Sequence, residues 1–288
     1  MGDHMDALNL DRRDCFKLLA GLGLGLAGSA VPAVAAPLTL DQIKKNGSVR
    51  IGCEAAYRPF TFRDQGKIVG YDVDLAEIIY KPLGVKCDFI DTAWSGIVPA
   101  LYAGNFDVIH CAMTYTKERV GRVAFSIPYA EATQEMLIRA ADAGKVKAVE
   151  DMSGKILGVK LGSAGDTMKT ALDQRVAAKA GKGFSEVKTY DDHPAAYLAL
   201  AQGSVDGVIN TLATLTQVLK DAPGRYAIIR NVGPMTWSGI ATRKDEKDLI
   251  GFVDQRLAQL KAGGELYALQ EKWFGTRMQL AEAIPSFS

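Results

Sequence analysis

Short apolar runs alternate with amphipathic stretches from residue 48 onward, and this pattern predicts alternating strands and helices. Residues 48–53, 85–90 and 106–112 have the length and apolar content of buried strands. Residues 72–83 carry apolar side chains three and four positions apart, which is the spacing of a helix face, and residues 97–103 predict a second helix. This order implies parallel strands joined by helices.

The second half of the chain has the same kind of order with a different sequence. We predict strands at residues 156–159, 187–190, 205–209, 226–229 and 238–242, and helices at residues 165–180, 194–202, 211–220, 245–261 and 264–273. A hairpin is predicted at residues 60–69, with Gln65 and Gly66 in its turn. Open parallel sheets bind ligands beyond the carboxyl ends of their strands, so two facing sheets would form a cleft for a ligand.

The first 36 residues differ from the rest of the chain. Arg12 and Arg13 precede a weakly apolar stretch at residues 18–35, which ends in small residues before Pro37. These are the parts of a secretory signal peptide, and the arginine pair resembles a twin-arginine signal. We therefore expect a signal peptide at residues 1–36 and a periplasmic protein. A transmembrane anchor is the alternative, although its glycines weaken such a span.

Composition narrows the classes of function. The chain has 288 residues, 34 of them basic and 33 acidic, with no long basic run, so nucleic-acid binding is not expected. Beyond Cys15, the three cysteines Cys53, Cys87 and Cys111 leave at least one thiol unpaired within the chain. Cys53 and Cys111 could form a disulfide, or they could be buried free thiols. Their spacing does not suggest a metal site, and we expect neither a metal nor a cofactor.

Five segments carry a recognisable pattern. They are residues 49–52 with 57–60 (VRIG, YRPF), 70–76 (GYDVDLA), 94–101 (WSGIVPAL), 113–119 with 125–129 (MTYTKER, FSIPY) and 203–209 (GSVDGVI). In this order they resemble the family 3 extracellular solute-binding proteins, the receptors of ABC importers for polar amino acids and opine-like compounds. The resemblance covers almost the whole chain after the signal peptide.

The resemblance implies an α/β fold of the periplasmic binding protein type II, or Venus flytrap, class. Each of its two lobes is a mostly parallel sheet flanked by helices. Lobe 1 is expected at residues 37–131 and 235–288, and lobe 2 at residues 132–234, with hinge crossovers near residues 130–133 and 233–237. We expect a monomer that closes around its ligand and delivers it to a membrane permease.

Arg119 is the main candidate for ligand binding. A guanidinium offers a rigid fork of donors that matches a carboxylate, and in the family the arginine at this place holds the α-carboxylate of the ligand. A surface ion pair with Glu118 or Asp107 is the alternative. Thr114 is expected just past the end of its strand as a second donor. Ala112 stands where relatives often have glycine, and its carbonyl is expected to face the ligand.

The resemblance adds two aromatic residues and one helix start. Tyr57 and Trp94 match positions that sandwich the carbon skeleton of the ligand, with core packing as the alternative. Ser163 and Ala164 begin a helix whose free N–H groups attract anions, and a simple N-cap is the alternative.

Asn210 is a departure from the family pattern. Amino-acid-binding members usually have an aspartate here, which pairs with the α-ammonium of the ligand. Glu54 matches an acidic position near that ammonium and could compensate. The ligand is therefore either an amino acid held by Glu54 or an acid without an α-ammonium.

Five remaining polar side chains are expected to be structural. Asp191, Asp192 and His193 precede Pro194 and predict the start of a helix more strongly than a metal site. Asp206 is expected to be structural, and His110, inside an apolar strand, is expected to be a hydrogen-bonded histidine of the core.

The sequence thus favours a substrate-binding component of an ABC importer that is not an enzyme. One alternative is a periplasmic dehydratase of the cyclohexadienyl dehydratase type, with Glu54 as the general acid. A receptor that presents its ligand to a membrane sensor is another. We find no catalytic triad, Gly-x-Ser-x-Gly motif or phosphate-binding loop in the sequence.

Overall fold

The computed structural model describes residues 37–287, and the predicted signal peptide at residues 1–36 lies outside them. The described chain begins with the elements α1 (Leu40–Asn46), β1 (Ser48–Cys53), β2 (Ala56–Tyr57), β3 (Thr61–Asp64), β4 (Lys67–Val69), α2 (Tyr71–Tyr80), β5 (Lys86–Asp91), α3 (Ile97–Tyr102), β6 (Val108–Thr114), α4 (Lys117–Arg122), β7 (Ala124–Phe125) and β8 (Ala130–Glu131). The predicted hairpin is confirmed as β3 and β4.

The rest of the chain forms β9 (Gln134–Arg139), β10 (Ile156–Lys160), α5 (Ala164–Ala180), β11 (Glu186–Tyr190), α6 (His193–Ala201), β12 (Gly207–Thr211), α7 (Leu212–Asp221), β13 (Tyr226–Ile229), β14 (Trp237–Thr242), α8 (Lys247–Gly263) and α9 (Glu265–Phe274). The predicted elements differ from these mainly at their ends. Within residues 37–287, no helix combines the length and the apolar character that crossing a bilayer requires.

The first sheet has the strand order β5-β1-β6-β14-β7, and β8 also pairs with β14. β5, β1 and β6 are parallel, whereas β14 runs antiparallel to β6. All seven residues of β6 are buried, as expected for a central strand covered on both faces. Because β1 and β6 are parallel, their carboxyl ends place Glu54 and Thr114 at the same edge of the sheet. Thr114 is the last residue of β6, so its predicted position past the strand end was wrong.

The second sheet has the order β11-β10-β12-β9-β13, with β11, β10 and β12 parallel and β9 antiparallel to β12. The sequence did not predict β9, because the strand begins with the polar residues Gln134 and Glu135. Both are buried. Glu135 accepts a hydrogen bond from the N–H of Val232 at 3.0 Å and pairs with Arg230 at 3.3 Å, which satisfies its carboxylate. The mostly parallel, helix-flanked character of both predicted sheets is confirmed.

Two adjacent crossovers connect the sheets. The N–H of Ala132 donates to the carbonyl of Thr236 at 2.8 Å, and the N–H of Gly233 donates to the carbonyl of Gln134 at 2.9 Å. The crossover segments therefore lie side by side, as a two-strand hinge would. The predicted lobe boundaries stay a proposal, which this arrangement supports.

Gly70 joins the hairpin to α2 in a conformation that other residues avoid. Its φ is +139°, and a Cβ at this position would lie 2.0 Å from the carbonyl oxygen of Phe60. That carbonyl accepts the N–H of Asp72 at 3.0 Å, while the carbonyl of Pro59 accepts the N–H of Tyr71 at 3.0 Å. These bonds fix the start of α2, so glycine is required by both backbone angle and space.

Asp72 of α2 and His110 of β6 form a buried pair. Both side chains are 0% exposed, and His110 Nε2 lies 3.7 Å from Asp72 Oδ1. Within residues 37–287, none of their side-chain nitrogen and oxygen atoms has a hydrogen-bond partner. The expectation that His110 is a core residue is confirmed. The expectation that it is hydrogen-bonded was wrong, because Asp72 Oδ1 lies beyond hydrogen-bond distance and neither ring nitrogen has another partner among residues 37–287.

The thiols of Cys53, Cys87 and Cys111 are free. The disulfide between Cys53 and Cys111 that the sequence left open does not form. The sulfur of Cys111 instead accepts the N–H of Glu54 at 3.2 Å. Asp206 is structural as predicted, since it pairs with Arg139 at 2.9 Å.

Candidate functional site

Most of the predicted site residues line one cavity of about 20 Å³ where the carboxyl ends of both sheets meet. These lining residues are Tyr57, Trp94, Ala112, Thr114, Arg119, Ser163, Ala164 and Asn210. Gln134, Lys160 and His193, which we did not predict as site residues, complete the lining. Glu54 does not line the cavity.

Arg119 lies in α4, which Thr116 caps by accepting the N–H of Arg119 at 3.2 Å. The guanidinium donates from Nη1 to the carbonyl of Thr114 at 2.9 Å and from Nη2 to the carbonyl of Gly162 at 2.7 Å. One arginine therefore bonds to the end of β6 and to the turn that follows β10. This fork is aimed at the space between the two sheets.

The alternative of a surface ion pair for Arg119 was wrong. Glu118 pairs with Arg122 at 3.1 Å, and Asp107 pairs with Arg50 at 2.5 Å. Arg119 is only 9% exposed, and burial lowers its pKa to about 10, so it still carries a positive charge at neutral pH. Within the described residues, no carboxylate forms an ion pair with this guanidinium.

Tyr57 and Trp94 form apolar walls on the side of the first sheet. Trp94 Nε1 donates to the carbonyl of Gly162 at 2.9 Å. Tyr57 stacks on His193 with ring centres 5.7 Å apart. Both rings are more than nine-tenths buried and reach residues of the second sheet, so the aromatic groups belong to the contact between the sheets as well as to the core.

Ser163 and Ala164 form the start of α5, as predicted. The Ser163 hydroxyl accepts the N–H of Asp166 at 3.1 Å, which is an N-cap. The capping role given as the alternative is therefore present, and the same residue also lines the cavity.

Asn210 lies in β12 and is 2% exposed. Its side-chain oxygen accepts the N–H of Thr211 at 2.7 Å and the hydroxyl of Tyr57 at 3.3 Å. Its Nδ2 donates to the hydroxyl of Tyr197 at 2.7 Å. The amide is thus held by groups of the protein itself and adds no charge to the cavity.

The Ala112 backbone is strained at the end of β6. Its φ is +43°, which lies in the left-handed region that favours glycine. The N–H of Ala112 donates to the hydroxyl of Tyr129 at 2.7 Å, and the Ala112 carbonyl accepts the hydroxyl of Ser238 at 2.9 Å. The Ala112 carbonyl thus already has one donor within the protein, and its contact with a ligand stays a prediction.

Lys160 is the most important residue that sequence analysis missed. Its Nζ forms a short ion pair with Glu54 Oε2, and the side chains are 3% and 7% exposed. Burial raises the pKa of Glu54 and lowers that of Lys160, while their pairing opposes both changes. The pair has no net charge, whether the proton between the two groups lies on Lys160 or on Glu54. The sequence feature that could have identified Lys160 as a site residue is its position at the carboxyl end of a predicted strand.

His193 begins α6, and Asp192 caps this helix by accepting the N–H of Ala195 at 2.8 Å. The predicted helix start is confirmed. Burial lowers the pKa of His193 well below 6.5, so the ring is neutral. Neither ring nitrogen has a hydrogen-bond partner among residues 37–287, and the ring faces the cavity. In the same range, no group of three or more potential metal ligands occurs.

Comparison with known proteins places this site in context. A sequence profile described as bacterial extracellular solute-binding proteins, family 3, matches residues 49–276. The L-cystine-binding protein TcyJ of Escherichia coli (strain K12) is 32% identical over 251 residues, which cover 87% of this chain and 91% of that protein.

Two solved structures have a similar fold over about four-fifths of this chain. An ancestral arginine-binding protein bound to arginine has a TM-score of 0.69 and 38% identity, with 80% of this chain and 99% of that chain covered. The ancestral amino acid-binding protein AncCDT-1, a precursor of cyclohexadienyl dehydratase, has a TM-score of 0.74 and 32% identity, with coverages of 82% and 99%.

Proposed function

Because the chain belongs to the bacterial extracellular solute-binding proteins of family 3, it is a substrate-binding component of an ABC importer, and we propose that it binds an amino acid or a related small carboxylate. Arg119 carries this proposal. It is a buried, charged guanidinium that faces a cavity, and the nearby carboxylates of Glu118 and Asp107 pair with other arginines. A carboxylate is the ligand group that would match its fork of donors.

We propose that the ligand is bound by closure of the two lobes about the paired crossovers. Arg119 and Thr114 belong to the side of the first sheet, and Ser163 and Asn210 to the side of the second. Closure brings these groups together and excludes water, which strengthens each polar contact. The names of the relatives, which specify L-cystine and arginine, support an amino acid or a compound closely related to one as the kind of ligand.

We also propose that the protein is not a dehydratase. An enzyme on this scaffold would need a carboxyl group that can protonate the leaving hydroxyl. Glu54 was the candidate, but it does not line the cavity and its carboxylate pairs with Lys160. Incubation with prephenate and arogenate tests the point, and turnover of either compound would contradict it.

A thermal-shift screen of carboxylates followed by calorimetry with Arg119→Ala tests the binding proposal. A ligand raises the melting temperature by mass action. Loss of the arginine leaves the bound carboxylate buried and unpaired, so affinity should fall by about 100-fold or more. Arg122→Ala is the matched control, because Arg122 lies in the same helix and is exposed. Equal affinity of both variants would refute the assignment of Arg119.

The family description supports an exported protein, and we propose the periplasm as its location. The twin-arginine route rests on Arg12 and Arg13 with Phe16, Lys17 and the weakly apolar stretch after them, and it stays a prediction. The monomeric state stays a prediction in the same way.

A further inference from the structure

Two cations, Arg119 and Lys160, line the cavity, and one carboxylate pairs with the second of them. The guanidinium carbon of Arg119 lies 4.9 Å from the centre of the Trp94 ring, and the ammonium of Lys160 lies 4.8 Å from the same centre. Glu54 is the carboxylate paired with Lys160. Among the described residues that line the cavity, none is an aspartate or glutamate. Since Lys160 and Glu54 cancel, the site has the uncompensated positive charge of Arg119.

The α-ammonium of an amino acid therefore finds no free anion in this site. Asn210 would supply a neutral oxygen, and that oxygen already accepts from Thr211 and Tyr57. Glu54 is bound by Lys160, whose ammonium also lies 5.1 Å from the centre of the Tyr57 ring. Lys160 thus places a cation between the two aromatic walls. A ligand ammonium would be a further cation beside the same rings.

A ligand oxygen suits the same surroundings. An ammonium group has three N–H donors, and the contact with Glu54 uses one of the three on Lys160. The neutral ring of His193 faces the cavity and can donate one hydrogen bond. A hydroxyl or keto oxygen accepts such bonds, whereas an ammonium group cannot accept any.

We propose, on the premise of the carboxylate site described above, that Lys160 makes the protein selective for 2-hydroxy and 2-oxo acids over the corresponding 2-amino acids. Arg119 binds the carboxylate, and Lys160 donates to the oxygen on the neighbouring carbon. An amino acid could bind only by displacing Lys160 from Glu54. That displacement leaves Lys160 without its partner in a buried position, which is unfavourable.

Calorimetry with matched sets of ligands tests this selectivity in the full-length exported protein. Suitable sets are lactate, pyruvate and alanine, and 3-phenyllactate, phenylpyruvate and phenylalanine, extended to any side chain that the thermal-shift screen finds. Within a set, the oxygen-bearing acids should bind at least about tenfold more tightly than the amino acid. An amino acid that binds equally well or better overturns the selectivity and leaves the carboxylate site intact. If none of the carboxylates binds, the proposed function itself fails.

The double variant Lys160→Met/Glu54→Gln identifies the residue responsible. It removes both charges together, so neither is left buried and alone. The preference for oxygen-bearing acids should fall by about tenfold, and adding Asn210→Asp should shift it toward amino acids. Lys67→Met, at the exposed position of β4, is the matched control and should keep the preference of the wild type. An unchanged preference in the double variant overturns the role of Lys160. The comparison of ligands with the wild-type protein needs no variant to fold.

Discussion

Replacing Asp72 by Asn should change how the stability of the protein depends on pH. Burial raises the pKa of Asp72 to about 7 and lowers that of His110 to about 3. At pH 5 the folded protein therefore holds an uncharged acid beside a neutral imidazole. In the unfolded chain both groups return to ordinary pKa values of 3.8 and 6.5.

The two groups act on stability with opposite signs. Between pH 3.8 and about 7, the folded protein keeps a proton on Asp72 that the unfolded chain has lost, so the free energy of unfolding falls as pH rises. The gap between these two pKa values is worth about 4 kcal/mol. Between about pH 3 and 6.5, the unfolded chain protonates His110 and the folded protein does not, so stability rises with pH. In the wild type these slopes nearly cancel where the ranges overlap.

Asp72→Asn removes the first slope, because an amide cannot ionise. The free energy of unfolding of the variant minus that of the wild type should rise by about 4 kcal/mol as the pH goes from 4 to 8. Urea unfolding followed by circular dichroism at a series of pH values measures this gain. Asp88→Asn, at an exposed position of β5, should show no such trend. If Asp72→Asn is instead less stable than the wild type throughout pH 5 to 7, the wild-type pair is a charged ion pair and the reasoning is refuted.

Two further predictions concern backbone conformation. Ala112→Gly should raise the free energy of unfolding by up to about 1 kcal/mol, because relief of the positive φ outweighs the entropy of glycine, whereas Ala171→Gly on the exposed face of α5 should lower it by about 1 kcal/mol. A loss of stability in Ala112→Gly, measured by urea unfolding, would contradict the strain. Gly70→Ala should abolish soluble folded protein, because its Cβ would lie 2.0 Å from the carbonyl oxygen of Phe60, whereas Gly251→Ala in α8 has open space and should fold normally. Near-ultraviolet circular dichroism distinguishes the two variants, and a native spectrum for Gly70→Ala would show that the hairpin can move.

The sequence predicted the strands and helices whose apolar spacing is regular. β1 and β13 have the expected bounds, since each is a short apolar run between turn residues. β9 was missed because Gln134 and Glu135 gain their hydrogen bonds only from distant parts of the chain. A local pattern cannot show that a buried polar residue will find a partner such as Val232.

A site residue could be predicted where the short segment around it has a recognisable sequence pattern. Arg119 follows a threonine-capped helix start within a recognisable block of sequence. Lys160 had no such signal, because its importance depends on Glu54, which lies 106 positions earlier and on the other sheet. The position of a strand end can be predicted from sequence, whereas the side chain that it meets across the cleft depends on the docking of the lobes.

The carbonyl of Gly162 has a consequence for the rate of loading. It accepts from Trp94 at 2.9 Å and from Arg119 at 2.7 Å, and the cavity beside it, of about 20 Å³, holds little more than one water molecule. A solute can enter only after these bonds separate. The observed association rate should therefore stop rising at high solute concentration and level off at the rate of lobe opening. The breaking of these two bonds, together with the Lys160–Glu54 ion pair and the Tyr57–Asn210 hydrogen bond, would then set how quickly the receptor fills, rather than diffusion.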